Sequence, residues 1–112
     1  FSEIVGRLAE KGVLITAGTD LINPWMTPGV ALHEELALLH QAGLTTREVL
    51  AAATSNSATA IGRSLNGRIS SGFDADFLVL SSDPLDNIRN LRDIEFVVSA
   101  GKVYRPSDLL DN

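Results

Sequence analysis

The stretch "VLITAGTDLINPW", residues 13–25, decides the fold class. Residues 13–17 are apolar on both faces instead of alternating, which is typical of a parallel strand that helices cover on each side. A Gly-Thr-Asp turn then ends the strand at Asp20. Because α/β sheets and barrels keep their working residues at the carboxyl ends of strands, the stretch predicts a buried strand that delivers a carboxylate to an open edge.

Position alone leaves two interpretations of Asp20 open. A carboxylate at a strand end can bind a metal, take a proton from a bound water, or do both. Turn aspartates also accept hydrogen bonds from the backbone N–H groups of their own loop. Nothing within residues 13–25 decides between these two roles.

Helices surround this strand on both sides in the sequence. The first is predicted from Ser2, as N-cap, to Lys11, with Gly12 as its stop. The second covers 29–42, where leucines recur at i, i+4 and i+7. Thr45 and Glu48 form a Thr-x-x-Glu capping box that begins a third helix.

Asn56 or Ser57 is predicted to cap a short fourth helix that runs to Ile61 and stops at Gly62, after which the composition changes. The second half is punctuated by glycine and contains an apolar run at 77–80 and an alternating pattern around an Ala-Gly turn at 100–101. These patterns predict β-strands and a hairpin.

Both halves lack partners for their strands. A two-sided apolar strand needs parallel neighbours, and the first half offers none, so residues 1–62 look like the last unit of a larger α/β barrel. Two or three short antiparallel strands are marginal unless they join a larger sheet, which applies to residues 63–112. The sequence therefore predicts an incomplete α/β fold in two parts.

Composition limits the classes of partner. The net charge is −5 and no run of Lys or Arg occurs, which argues against nucleic acid and against an anionic membrane surface. No apolar run approaches the roughly 20 residues of a membrane span. The absence of cysteine excludes disulfides and thiolate metal sites and favours a reducing compartment such as the cytoplasm. Because the chain starts at Phe1, we expect that it is a piece of a longer protein.

Other candidate sites are explained by ordinary structure. His33 and His40 are about 10 Å apart along a helix, too far to share an ion at bonds of about 2 Å, so they are interpreted as helix-face residues. Asp74 and Asp76 in "GFDAD" have no third acidic neighbour and are interpreted as turn and strand-entry residues. The serines lack a Gly-x-Ser-x-Gly elbow, and the glycines lack the spacing of a phosphate loop.

The ordered set of segments resembles the metal-dependent amidohydrolase superfamily in its imidazolonepropionase-like and prolidase-like branch. The segments that carry the resemblance are "ITAGTD", "ALHEELALLHQAGLTTREVLAAAT", "AIG", "GRISSGFDADFLVLSSDPL" and "VVSAGKVY". They cover nearly the whole chain, in the order of the C-terminal part of that family. One departure is Ser57, where the family typically has proline.

The resemblance implies a (β/α)8 barrel that holds one or two divalent metals, usually zinc. Asp20 matches the aspartate at the end of the eighth strand, which contacts the metal and moves a proton from the metal-bound water to the leaving group of an amide. Asn23 and Trp25 lie in the following loop and are candidates for the substrate-pocket wall. Residues 63–112 resemble the C-terminal part of an accessory β-sandwich, in which Gly72, Ala75 and Asp76 are structural.

The resemblance also implies that the other metal ligands would precede Phe1. A catalytic zinc takes three or more protein ligands, so Asp20 alone holds none. We therefore expect a metal-dependent hydrolase of amide or cyclic amide bonds, acting on a small molecule in the complete protein, and an inactive isolated chain. The alternative is a noncatalytic α+β interaction module that dimerises by pairing the strand at 13–17 or the hairpin at 100–101.

Overall fold

The computed structural model describes residues 2–20 and 25–110. The described chain is a mixed α/β structure with its helices mostly in the first half and its sheet in the second. The elements, in chain order, are α1 (Ser2–Glu10), α2 (Val30–Gln41), α3 (Thr46–Ala53), α4 (Ser55–Ala60), β1 (Phe77–Leu80), a 3-10 helix (Ile88–Arg92), β2 (Ile94–Ser99), β3 (Lys102–Tyr104) and α5 (Pro106–Leu110).

The hydrophobic core lies between α2, α3 and the 3-10 helix. Val49 and Ala52 on α3 have no exposed surface, and the buried leucines of α2 pack against them. Ile88 and Leu91 of the 3-10 helix complete the cluster. The core therefore takes side chains from both sides of the expected boundary at residue 62, and the division into 1–62 and 63–112 stays a prediction.

The helix boundaries follow local chemistry. The capping box predicted at α3 is present: the Thr45 hydroxyl accepts from the Glu48 N–H, and the Glu48 carboxylate accepts from the Thr45 N–H. α1 begins at Ser2, and the capping role of Ser2 stays a prediction. One detail of the prediction is wrong. Thr54 is the N-cap residue of α4 in place of Asn56 or Ser57, because the backbone breaks there, at φ −124° and ψ −92°.

The three strands form an antiparallel sheet in the order β1-β2-β3. Phe77 is opposite Val98, and Val98 is opposite Val103. The predicted Ala-Gly turn joins β2 to β3, with positive φ at both Ala100 (48°) and Gly101 (75°). Two consecutive left-handed residues are what a tight two-residue hairpin turn requires, so the hairpin prediction is confirmed.

The apolar segment 13–17 does not form the expected strand. Within the described residues it has no strand partner, and it lies instead along the helices. Ile15 and Ala17 are half-buried against the helical core, whereas Val13 and Leu14 are 48% and 53% exposed. From its sequence this segment needs parallel neighbours that the first half of the chain does not offer, and the described residues leave it unpaired, with helices on only one of its faces.

Among the helices of residues 2–20 and 25–110, none combines the length and the hydropathy that crossing a bilayer requires.

Candidate functional site

Asp20 lies at the exposed end of the apolar segment, and its backbone is left-handed, with φ 48°. Few non-glycine residues adopt this conformation, although Asp and Asn do so more readily than other residues. Left-handed residues outside glycine cluster at functional sites, where the surrounding structure holds them in place. The side chain of Asp20 is exposed to solvent at the end of this segment.

Two long-range hydrogen bonds anchor the segment that leads to Asp20. The Ala17 N–H donates to the Ala52 carbonyl at the end of α3, at 3.0 Å. The side-chain amide of Asn56, on α4, donates to the Ile15 carbonyl at 2.9 Å. Together with the packing of Ile15 and Ala17, these bonds hold the segment against the helices.

Of the two residues expected to line a substrate pocket, the structure describes one, Trp25. Asn23 lies outside the described residues. Trp25 is 91% exposed, so within the described chain its indole forms no enclosed wall. The roles of Asp20, Asn23 and Trp25 remain predictions.

The described residues do not make a metal site. Within residues 2–20 and 25–110, no group of three or more His, Cys, Asp or Glu side chains could hold an ion. A catalytic zinc needs three protein ligands, and Asp20 supplies one carboxylate. The donor set of these residues therefore does not fit a resident metal.

The two histidines lie on α2 in different environments. His40 Nδ1 lies 2.9 Å from the Leu44 carbonyl oxygen at the helix end. His33 lines a cavity of about 270 Å³ with Arg89 and Arg92 of the 3-10 helix. Burial and the positive charge of Arg92 lower the pKa of His33 below its ordinary value. Sequence reasoning missed this cavity because its histidine and arginines come from distant parts of the chain.

A second, mainly apolar groove of about 660 Å³ lies between the helices and the sheet. Its lining includes Leu50 from α3, Ile69 from the connection, and Phe77 and Leu80 from β1. Ile69 is 84% exposed. The groove lies beside β1, which has only one strand neighbour among the described residues.

The acidic residues of "GFDAD" have a structural place. Asp76 precedes β1, and its carboxylate accepts from the Ala100 N–H at 2.7 Å. The adjacent Ala75 carbonyl accepts from the Gly101 N–H at 3.1 Å. The assignment of Asp76 to a strand-entry position agrees with these bonds.

The sequence of this chain is similar to those of known proteins. The sequence profile described as "Amidohydrolase family" matches residues 1–104. An imidazolonepropionase of Deinococcus deserti is 37% identical over 98 residues, which are 87% of this chain and 23% of that protein. The chain therefore belongs to the amidohydrolase family.

Two solved structures share the fold. A bottromycin amidohydrolase superposes with a TM-score of 0.83 at 30% identity, over 96% of this chain and 24% of that one. A Xaa-Pro dipeptidase, solved with methionine in its active site, superposes with a TM-score of 0.82 at 26% identity, over 93% of this chain and 25% of that one. The chain thus spans about a quarter of the length of the proteins it matches.

Proposed function

We propose that the chain is the C-terminal part of an amidohydrolase that cleaves an amide or cyclic amide bond in a small molecule. In this proposal, residues 1–62 supply the last unit of a (β/α)8 barrel and residues 63–112 supply strands of an accessory β-sandwich. The names of the relatives support the reaction class, since one is a dipeptidase and another an amidohydrolase.

The observation that carries the proposal is the presentation of Asp20. Its carboxylate stands exposed at the end of a segment that two long-range hydrogen bonds hold in place. In the proposed reaction, a water oxygen bonds to the amide carbon as the carboxylate of Asp20 takes the water proton. The C–N bond then breaks, and the same proton moves to the leaving nitrogen.

The family generally uses a divalent metal, and we propose that zinc or another divalent ion is bound in the complete protein. Its remaining ligands must then come from outside the described residues, because these contain no metal-binding group. The isolated chain should be inactive for the same reason. An assay on dipeptide and cyclic amide substrates, with and without added zinc, should detect no turnover. Metal-dependent turnover by this chain alone would refute that part of the proposal.

The role of Asp20 is tested in a longer protein that includes residues 1–112. Asp20→Asn keeps the size and the tolerance for positive φ but removes the base, so kcat should fall by roughly 10²–10⁴-fold. Asp86→Asn makes the same substitution at another exposed aspartate, so it is the matched control and should keep full activity. Equal activity of the two variants would exclude Asp20 as the proton carrier.

The second candidate function is a noncatalytic module that dimerises by strand pairing. It is favoured by one observation: within the described sheet, β1 and β3 each have a single neighbour, and Val103 on β3 is 63% exposed. The mass of the chain in solution tests it. A concentration-independent monomer excludes strand-paired dimerisation, whereas a dimer that Val103→Lys dissociates supports it.

A further inference from the structure

We infer that Asn56 is a positioning residue for Asp20, acting through the backbone of residues 15–17. The inference deepens the proposed function and rests on it where activity is concerned. Its structural part stands on the hydrogen bonds alone and is tested without any substrate.

The Asn56 amide connects two parts of the chain that are far apart in sequence. Its Nδ2 donates to the Ile15 carbonyl across 41 residues, at 2.9 Å, in a partly buried position. Within the described residues segment 13–17 has no strand partner, and the Asn56 amide satisfies the Ile15 carbonyl there.

A second hydrogen bond anchors the segment at Ala17, and its acceptor carbonyl takes two donors. The Ala52 oxygen accepts from the Ala17 N–H at 3.0 Å and from the Ser57 hydroxyl at 2.7 Å. Asn56 and Ser57 are consecutive residues of α4. The first turn of α4 therefore contacts segment 13–17 directly through Asn56. Through Ser57 it also bonds the Ala52 carbonyl that accepts from the Ala17 N–H.

A simple capping role does not account for Asn56. The N-cap position of α4 is Thr54, and no side chain caps that helix. The Asn56 amide points instead to the segment that ends, five residues after Ile15, at the left-handed Asp20. In this proposal, loss of the amide releases the Ile15 carbonyl and so changes the path of the backbone that leads to Asp20.

Amide hydrogen exchange on the 112-residue chain tests the structural part. Asn56→Ala should speed exchange of the Ala17 amide about tenfold, the loss expected for one hydrogen bond, and leave the Val49 amide of α3 unchanged. Thr59→Ala is the matched control, because it removes a hydrogen bond to Ser55 that stays inside α4. Thr59→Ala should leave the exchange rate of the Ala17 amide unchanged. Unaltered exchange at Ala17 in Asn56→Ala, or equal acceleration at Val49, would overturn the inference.

Asn56→Asp separates the donor from the shape of the side chain. The ionised carboxylate is nearly isosteric but has no proton to donate, so the Ala17 amide should again exchange faster than in the wild type. Below a pH of about 4 the protonated carboxyl regains a donor, and the ratio to the wild-type rate should return towards one. A ratio that does not change with pH contradicts a donor role.

Activity of the longer protein tests the positioning of Asp20. Asn56→Ala should lower kcat about tenfold with KM unchanged, because the substrate binds as before while the proton carrier is misplaced. Thr59→Ala should change neither value. Unchanged kcat in Asn56→Ala, when Asp20→Asn does lower kcat, overturns the positioning role. If Asp20→Asn itself is fully active, the proposed function fails, and the exchange result still decides whether Asn56 holds the segment.

Discussion

The carboxylate of Asp76 accepts a hydrogen bond from the Ala100 N–H, 2.7 Å away, and so ties the entry of β1 to the turn between β2 and β3. The two residues are 24 positions apart in sequence. One side chain thus fixes the hairpin turn relative to the first strand of the sheet. The same contact explains why an aspartate is useful at this exposed position.

Removing that acceptor should weaken the sheet. We expect Asp76→Ala to lower the free energy of unfolding by roughly 1 kcal/mol, the typical net value of one hydrogen bond. Urea denaturation followed by circular dichroism measures the change. Asp74→Ala, an exposed aspartate in the same turn, is the control and should be close to neutral. Equal losses for both would point to a general effect of charge.

Ala100 holds a left-handed backbone that glycine adopts without strain. Ala100→Gly should therefore raise the free energy of unfolding by about 0.5 kcal/mol, the relief of strain less the greater freedom of the unfolded glycine. Gly101→Ala is the reverse change at φ 75°, with no atom near the added Cβ, and should destabilise by about 1 kcal/mol. Thermal unfolding of the two variants measures the sign of each change in stability. A lower free energy of unfolding in Ala100→Gly would contradict the argument.

The α3 capping box should make stability depend on pH. Hydrogen bonds from the Thr45 hydroxyl and backbone N–H lower the pKa of Glu48 below its ordinary value. A carboxyl group whose pKa is lower in the folded state than in the unfolded state stabilises the fold at pH values above the unfolded-state pKa. That stabilisation is lost as the pH falls through the folded-state pKa. We expect Thr45→Ala to raise the Glu48 pKa in an NMR titration. The stability difference between Thr45→Ala and wild type should then shrink in acid; a pH-independent difference would contradict this.

Gly6 marks the close approach of α1 to the end of α2. A Cβ at this position would collide with the Ala42 carbonyl oxygen, whereas one at Gly18 would meet nothing within 4 Å. Alanine at position 6 gains roughly 1 kcal/mol of helix propensity, but forced overpacking costs about 1–3 kcal/mol. Gly6→Ala should therefore be destabilising and Gly18→Ala near neutral in urea denaturation. A stabilised Gly6→Ala would show that the helices separate freely.

Local chemistry made part of this structure predictable from sequence. The Thr45–Glu48 box and the Ala100–Gly101 turn are each determined by residues within a few positions of one another, and both formed as expected. The 3-10 helix Ile88–Arg92 was missed, since five residues show too little periodicity. Residues 13–17 form no strand among the described residues, because an apolar composition does not supply the neighbouring strand that pairing requires.

The candidate site divides in the same way. The location of Asp20 after an apolar segment was evident from the sequence, whereas its left-handed backbone and the Asn56 contact were not. An asparagine early in a short helix resembles many capping residues, and only the folded chain brings it to Ile15. Contacts across 41 residues leave no pattern in a single sequence.

The one-sided cover of residues 13–17 also separates two practical properties of the chain. Ile15 and Ala17 pack on the helices, so changes there affect the stability of the fold. Val13 and Leu14 present apolar surface to water, and such surface promotes self-association as concentration rises. Solubility and stability therefore depend on different residues of one short segment, and each can be altered while the other is left intact.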